Sequence, residues 1–307
     1  EDYLVKPISR KDLNDTLEKV IDRISAQRDK TESFGRLKER VEHGATYLHE
    51  QLIADMLDGT SSVYTLDQIN HSYLCEFRPG FFAGIAIRID VPHFEEVFEA
   101  ISKKCERVIA ESLDDSCAEK QFSWIGGYLC GVLNSTGDSV YPLQRCVKRL
   151  FNALCVSMDV YEKASVSICV GDVVTSMDKV AASLCDARMC VRVKCICGGN
   201  RIYHSSQLNH GNPSKRLNPE QITMLRSLIE VGQAERLQSW LDDVFSYSAS
   251  WYYEHPLDTL ALVDAVTSNF VNLCGMLAIS INPQTKTDCE RKLACACSLQ
   301  EMMGCLH

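Results

Sequence analysis

The sequence predicts an α+β fold. A sheet with helices is flanked by a long N-terminal helix and followed by an all-α C-terminal region. Three observations predict it. Strand-like and helix-like runs alternate between residues 60 and 205. Two strand-like runs flank Gly126-Gly127, the signal of a tight hairpin. Beyond residue 217, apolar residues recur at helical spacing alone.

Taken in order, residues 1–8 read as a short strand ending at Lys6-Pro7. Residues 10–25 read as a helix capped by Ser9, with Leu13, Leu17, Val20, Ile21 and Ile24 on one face. Residues 26–58 continue as a charged helix. Its stripe of Phe34, Leu37, Val41, Leu48 and Leu52 suits either a coiled coil or packing on the next domain. Gly44 interrupts the stripe, and Asp58-Gly59 ends the helix. Strands are expected at 81–90, at 122–134 as a hairpin, at 164–172 and at 201–204. Helices are expected at 93–112, 141–154 and 177–194. This order implies a sheet containing antiparallel pairs, with helices on one face. Residues 206–217 are polar and read as a linker. Residues 218–305 read as helical: Asn218-Pro219-Glu220 starts one helix, and Pro256, Pro283 and Gly304 punctuate the rest. The segments expected are therefore 1–25, 26–59, 60–207 and 216–307.

Composition narrows the function classes. Net charge is −9, and the basic groups are short ones such as Lys103-Lys104 and Arg291-Lys292. Phosphate backbones attract clustered cations, so this stretch is expected to bind nucleic acid poorly by itself. No apolar run reaches about 18 residues, which argues against a membrane span. The opening residues lack the layout of a secretion signal. They read as a cut into a longer protein or as a processed N-terminus. The expected location is the cytoplasm.

Sixteen cysteines without a secretion signal read as reduced thiols serving as small apolar residues. The Cys195/Cys197 and Cys295/Cys297 pairs have the wrong spacing for structural zinc, so neither metal nor cofactor is expected. No G-x-S-x-G elbow, no phosphate-binding G-x-x-x-x-G-K-[ST] loop and no H-E-x-x-H pair occurs. Trp251-Tyr252-Tyr253 read as core or dimer contacts.

Two resemblances go further. Asp2-Tyr3-Leu4-Val5-Lys6-Pro7-Ile8 resembles the last strand and turn of a receiver domain, which implies that Lys6 contacts a phosphoryl group. The hairpin Trp124 to Leu133 resembles the signature hairpin of the GGDEF family of diguanylate cyclases. So do Val166 to Gly171, Asp186 to Lys194 with Gly198 to Ile202, and Asp90-Val91-Pro92-His93-Phe94-Glu95, set against that family's D-x-D-H-F-K. The matches cover about 140 residues and imply a GGDEF/nucleotidyl-cyclase-like sheet.

The same resemblance implies lost chemistry. Gly126 and Gly127 keep the turn, but Tyr128 and Leu129 stand where the family has its acidic pair, and Cys130 where it has Phe. Asp90 keeps the first metal carboxylate, and Pro92 replaces the second. A register shifted by two would put Arg88 in the metal position instead. Phe98 replaces the guanine-binding Asn, and Lys194 matches the phosphate-contacting Lys. Cys117-Ala118-Glu119-Lys120 replace the product-inhibition R-x-x-D. Two divalent metals need more than one carboxylate. The hairpin is thus expected to be vestigial, the chain not to be an enzyme, and Asp90, Phe98 and Lys194 to be the candidates for a ligand pocket.

The whole arrangement is similar to AraC-type two-component response regulators. It implies a non-catalytic, dimerising relay for phosphorylation signals in transcription regulation. A sensor histidine kinase would act through a receiver and DNA through a C-terminal module, both outside this stretch, with no membrane partner. The alternative is a sensor domain for a small molecule, including a nucleotide.

Overall fold

A computed structural model describes residues 44, 46–59, 65–113, 117–208, 217–296 and 298–305. The expectations for residues 1–43, Lys6 and most of the coiled-coil stripe among them, lie outside the described residues. Glu50–His307 forms a compact unit of its own.

That unit is mixed α+β. After a helix at 46–57, here α1, come α2 (Leu66–Tyr73), β1 (Phe81–Asp90) and α3 (Phe94–Ser112). The hairpin β2 (Glu119–Ile125) and β3 (Tyr128–Ser135) follows, then α4 (Tyr141–Met158), β4 (Ser165–Val170) and α5 (Val180–Cys190). A 3-10 turn at Val191–Val193 leads into α6 (Lys194–Cys197) and β5 (Arg201–His204). The five strands lie in the order β2-β3-β1-β4-β5. β1 pairs antiparallel with β3 and β4, β2 pairs antiparallel with β3, and β4 pairs parallel with β5. The first four strands, with α3 and α4, form a split β-α-β-β-α-β arrangement.

The hairpin forms where Gly126-Gly127 predicts it. Ile125 pairs with Tyr128, leaving two residues in the loop, with φ of +58° and +78°. Positive φ at both central positions is the primed turn whose twist suits antiparallel strands.

Helices cover both faces of the sheet, which corrects the one-face expectation. Ala83, Ile85, Ile87 and Ile89 of β1 pack against Ile101, Cys105, Leu143, Leu150 and Leu154 of α3 and α4. Phe82 and Ala86 face the other way, toward Val180, Leu184 and Ala187 of α5. The reason was visible in the sequence: Phe81-Phe82-Ala83-Gly84-Ile85-Ala86-Ile87 is continuously apolar, as a strand buried on both sides must be. At Gly84 the helix comes very close. A Cβ there would lie 2.3 Å from Leu184 N, and one at Gly171 would lie 1.9 Å from Ser183 O. Ser183 Oγ accepts from Gly84 N at 2.9 Å and donates to the Asp172 carbonyl at 2.7 Å, pinning α5 to the sheet.

The second face is closed further by Leu52, Ile53 and Met56 of α1, and by Ile69 and Tyr73 of α2. Of the two readings of the N-terminal stripe, packing on the next domain therefore holds for Leu52. The sequence reading missed α2. Its signal was Thr65-x-x-Gln68, which forms a reciprocal capping box.

The C-terminal stretch is helical, as expected: α7 (Pro219–Val231), α8 (Ala234–Val244), α9 (Ala249–Glu254), α10 (Pro256–Met276), α11 (Pro283–Cys295) and α12 (Leu299–Gly304). Asn218 caps α7 with Gln221 in a second capping box, and Gly232 ends it in the left-handed region. Leu225, Leu228, Leu241, Leu260, Val263 and Val266 belong to the same apolar cluster as the α5 face of the sheet. Among the described residues, α10 is the one helix long and apolar enough to cross a membrane, by length and composition. In this fold its Leu260, Val263 and Val266 are core residues.

Candidate functional site

The strand order brings three separated pieces of chain together: the end of β1, the Gly-Gly turn with the start of β3, and the start of α6. Arg88 and Asp90 are two apart on β1, so both point to the α5 face. Lys194 reaches the same place from the turn after α5. All three are buried, with exposures of 3%, 8% and 2%.

Charges at this depth need partners, and the geometry supplies them. Arg88 Nε donates to Asp90 Oδ1 at 3.0 Å. Lys194 Nζ lies 2.9 Å from Asp90 Oδ2, an ion pair by distance without the alignment of a hydrogen bond. Arg88 Nη1 donates to the Gly127 carbonyl at 2.7 Å, so the guanidinium ties the strand to the hairpin turn. A Cβ at Gly127 would sit 2.8 Å from that same nitrogen. The guanidinium also lies 5.2 Å from the Phe94 ring centre and 5.4 Å from that of Tyr128, within cation–π range of both. Lys194 Nζ donates in addition to the Ala296 carbonyl at 2.9 Å, which links the site to the C-terminal helices.

Next to this cluster, Arg192 holds Asp264 of α10 through two bonds of 2.8 Å. The bond to Asp264 raises the Arg192 pKa above its already high ordinary value, against the opposing effect of burial. Cys195 Sγ contacts Met302 Sδ at 3.6 Å. Arg192, Lys194 and Cys195 thus face the C-terminal region from one short segment.

The remaining hairpin residues offer no anion. Burial raises the Tyr128 phenol above its ordinary value, although Arg88, Arg192 and Lys194 pull the other way. Burial likewise pushes the Cys130 thiol up to about 11. Leu129 points to the opposite face, among the side chains packed on α3 and α4. A divalent ion approaching Asp90 meets a carboxylate whose two oxygens already face two fixed cations. Among the described residues, no group of three His, Cys, Asp or Glu is placed to hold a metal.

The sequence candidates therefore part company. Asp90, Lys194, Gly127 and Tyr128 meet at one place, and Cys130 lies farther along the same face. Gly126 is exposed at the turn, where a Cβ would come 3.4 Å from Arg188 Nη2. Phe98 does not line the cluster. It packs edge-on against Phe94 at 5.6 Å and Trp124 at 5.2 Å, in an aromatic group between α3 and β2. Lys6 lies outside the described residues.

Sequence reasoning places Arg88 only as a shifted alternative to Asp90. In the fold the two act together, and their i, i+2 spacing on a strand was the signal. It missed the Ala296 carbonyl and Asp264, which no local pattern marks. Ser167 Oγ, whose strand position pairs with Arg88, is buried with no hydrogen-bond partner among the described residues.

No protein-family model matches the sequence, and a search of curated proteins finds no significant match.

Proposed function

We propose that this chain is the non-catalytic relay and dimerisation part of a cytoplasmic DNA-binding response regulator, built around a degenerate GGDEF-like domain. The observation that carries this reading is the Arg88–Asp90–Lys194 cluster. It puts protein cations against the one carboxylate that the GGDEF resemblance retains for metal. The strand order and the two-residue glycine hairpin support the GGDEF-like fold. The fixed cations support the loss of cyclase chemistry, since phosphoryl transfer requires bound divalent metal to offset the charge of the phosphates.

A relay needs a physical path from one end to the other. Here it runs from α1, whose Leu52, Ile53 and Met56 enter the core, through the sheet to the Arg192–Cys195 turn, and on to α10 and Ala296. Phosphorylation of the receiver would change the dimer arrangement, and the helices would carry that change toward a DNA-binding module.

The test has two arms. The chain incubated with GTP and magnesium or manganese is expected to make no cyclic dinucleotide; metal-dependent synthesis would overturn the non-catalytic reading. Sedimentation of a receiver-containing chain, with and without a phosphoryl mimic, is expected to show a shifted monomer–dimer balance or dimer shape. An unchanged particle in both states would overturn the relay.

A second reading is a small-molecule sensor, favoured by the unpartnered Ser167 Oγ beside a buried charged cluster. A thermal-shift screen including GTP and cyclic di-GMP separates the two. A concentration-dependent rise in midpoint that Ser167→Ala abolishes would select the sensor.

A further inference from the structure

Fourteen cysteines of the described residues form no disulfide. Two pairs among them nevertheless interact thiol to thiol, and the two differ in access. Cys169 and Cys190 are both fully buried between the sheet and α5. Cys117 is half-buried just ahead of β2, and its Sγ lies 3.2 Å from Sγ of the buried Cys146 on α4. A disulfide needs a separation near 2.05 Å, so closure asks for a movement of roughly 1 Å. Other half-buried thiols point at different atoms: Cys185 donates to the Leu57 carbonyl and Cys289 to the Cys305 carbonyl.

We propose that Cys117 and Cys146 are an oxidation site that takes a hydroperoxide and closes to a disulfide bracketing the β2–β3 hairpin. The Cys117 thiolate attacks the outer peroxide oxygen. The O–O bond breaks, water or an alcohol leaves, and Cys117 becomes a sulfenic acid. Cys146 then attacks that sulfur, the S–O bond breaks, the S–S bond forms, and water leaves. Two thiols lose two electrons and two protons, and the hydroperoxide takes them up. The bond to Cys146 and burial push the Cys117 thiol well up, with Lys120 and Arg149 acting against them. The reaction therefore accelerates with pH, because only the thiolate attacks.

The peptides report the outcome cleanly. Trypsin releases Cys117 alone in residues 108–120 and Cys146 alone in residues 146–148, while Cys169 and Cys190 fall in 164–179 and 189–192. The native 307-residue chain is treated with hydrogen peroxide at pH 7 and pH 9, alkylated, digested without reductant and weighed. Expected is a joined 108–120/146–148 species, two hydrogens lighter than its parts and formed about 100-fold faster at pH 9, since the thiolate fraction of a high-pKa thiol rises about tenfold per pH unit. Cys117→Ser and Cys146→Ser each remove it, and Cys155→Ser leaves it. The 164–179/189–192 species is expected only when oxidation is done in denaturant. The oxidised chain should also melt higher, on the order of 5 °C, because the cross-link restricts the unfolded chain. No joined 108–120/146–148 species in the native chain would overturn the proposal. So would equal joining of Cys117 to Cys155, or earlier joining of Cys169 to Cys190.

Discussion

The two faces of the sheet are built from alternate residues of the same strands, yet they carry different kinds of interaction. Toward α3 and α4, β1 presents Ala83, Ile85, Ile87 and Ile89 to an apolar layer. Toward α5 and the C-terminal helices, it presents Phe82, Gly84 and Ala86, and then Arg88 and Asp90. The first face gains from area removed from water, a non-directional effect that many side chains of the right size would supply. The second depends on directed contacts from Arg88 to Asp90 and Gly127 and from Lys194 to Ala296, with the Lys194–Asp90 ion pair beside them. Burial alone holds a sheet together; the choice of which loop and which helix meets it lies with the charged end of β1.

That contrast can be broken most sharply at Asp90. Asp90→Ala leaves two buried cations facing each other, and removing one member of a buried ion cluster costs roughly 3–5 kcal/mol. Urea unfolding followed by far-ultraviolet circular dichroism is expected to show that loss. A change near 0.5 kcal/mol, the size of an ordinary surface substitution, would mean the cluster is not an organising element and the two faces are alike.

On the other face, Leu150→Ala removes a fully buried side chain between α4 and the sheet, at a cost of roughly 2–4 kcal/mol set by transfer and cavity terms. Here Leu150→Met is expected to restore most of the loss, because volume rather than direction matters. Asp90→Asn, nearly the same size as Asp, should recover little. A full rescue by Asn, or none by Met, would reverse the assignment.

The smallest effect belongs to His204 on the edge strand β5. Burial lowers its pKa below the ordinary imidazole value. The unfolded chain then binds the proton first as pH falls. His204 costs nothing well above the unfolded value, and stability drops as pH falls through that value toward the lower folded one. His204→Gln is expected to flatten the midpoint-against-pH curve between about pH 7 and 5. An identical slope in the variant would assign the acid sensitivity elsewhere.

Local features of the fold were readable because their causes are local. The glycine turn, the Asn218 cap and the apolar run of β1 each act over a few neighbouring residues. The candidate site was readable only in part. Asp90 and Lys194 could be named from the resemblance, but that they pair with each other depends on the crossover that sets β4 beside β1 and brings the turn after α5 back over the sheet. Phe98 shows the opposite limit. Its position suggested a pocket, while its ring finds Phe94 and Trp124, because aromatic surface packs wherever neighbours present a matching edge. Asp264 and the Ala296 carbonyl carry no sequence signature at all, since a partner 72 or 102 residues away leaves no periodic trace.

The close seat of α5 on Gly84 and Gly171 has a mechanical consequence. With no side chain as a cushion between helix backbone and strand, α5 cannot slide along the sheet without colliding with it. It is held at its first turns by the strand backbone and just past its last turn by the bonds of Arg192 and Lys194. Sheet and α10 therefore grip opposite ends of one stiff piece, so neither can shift without loading the other.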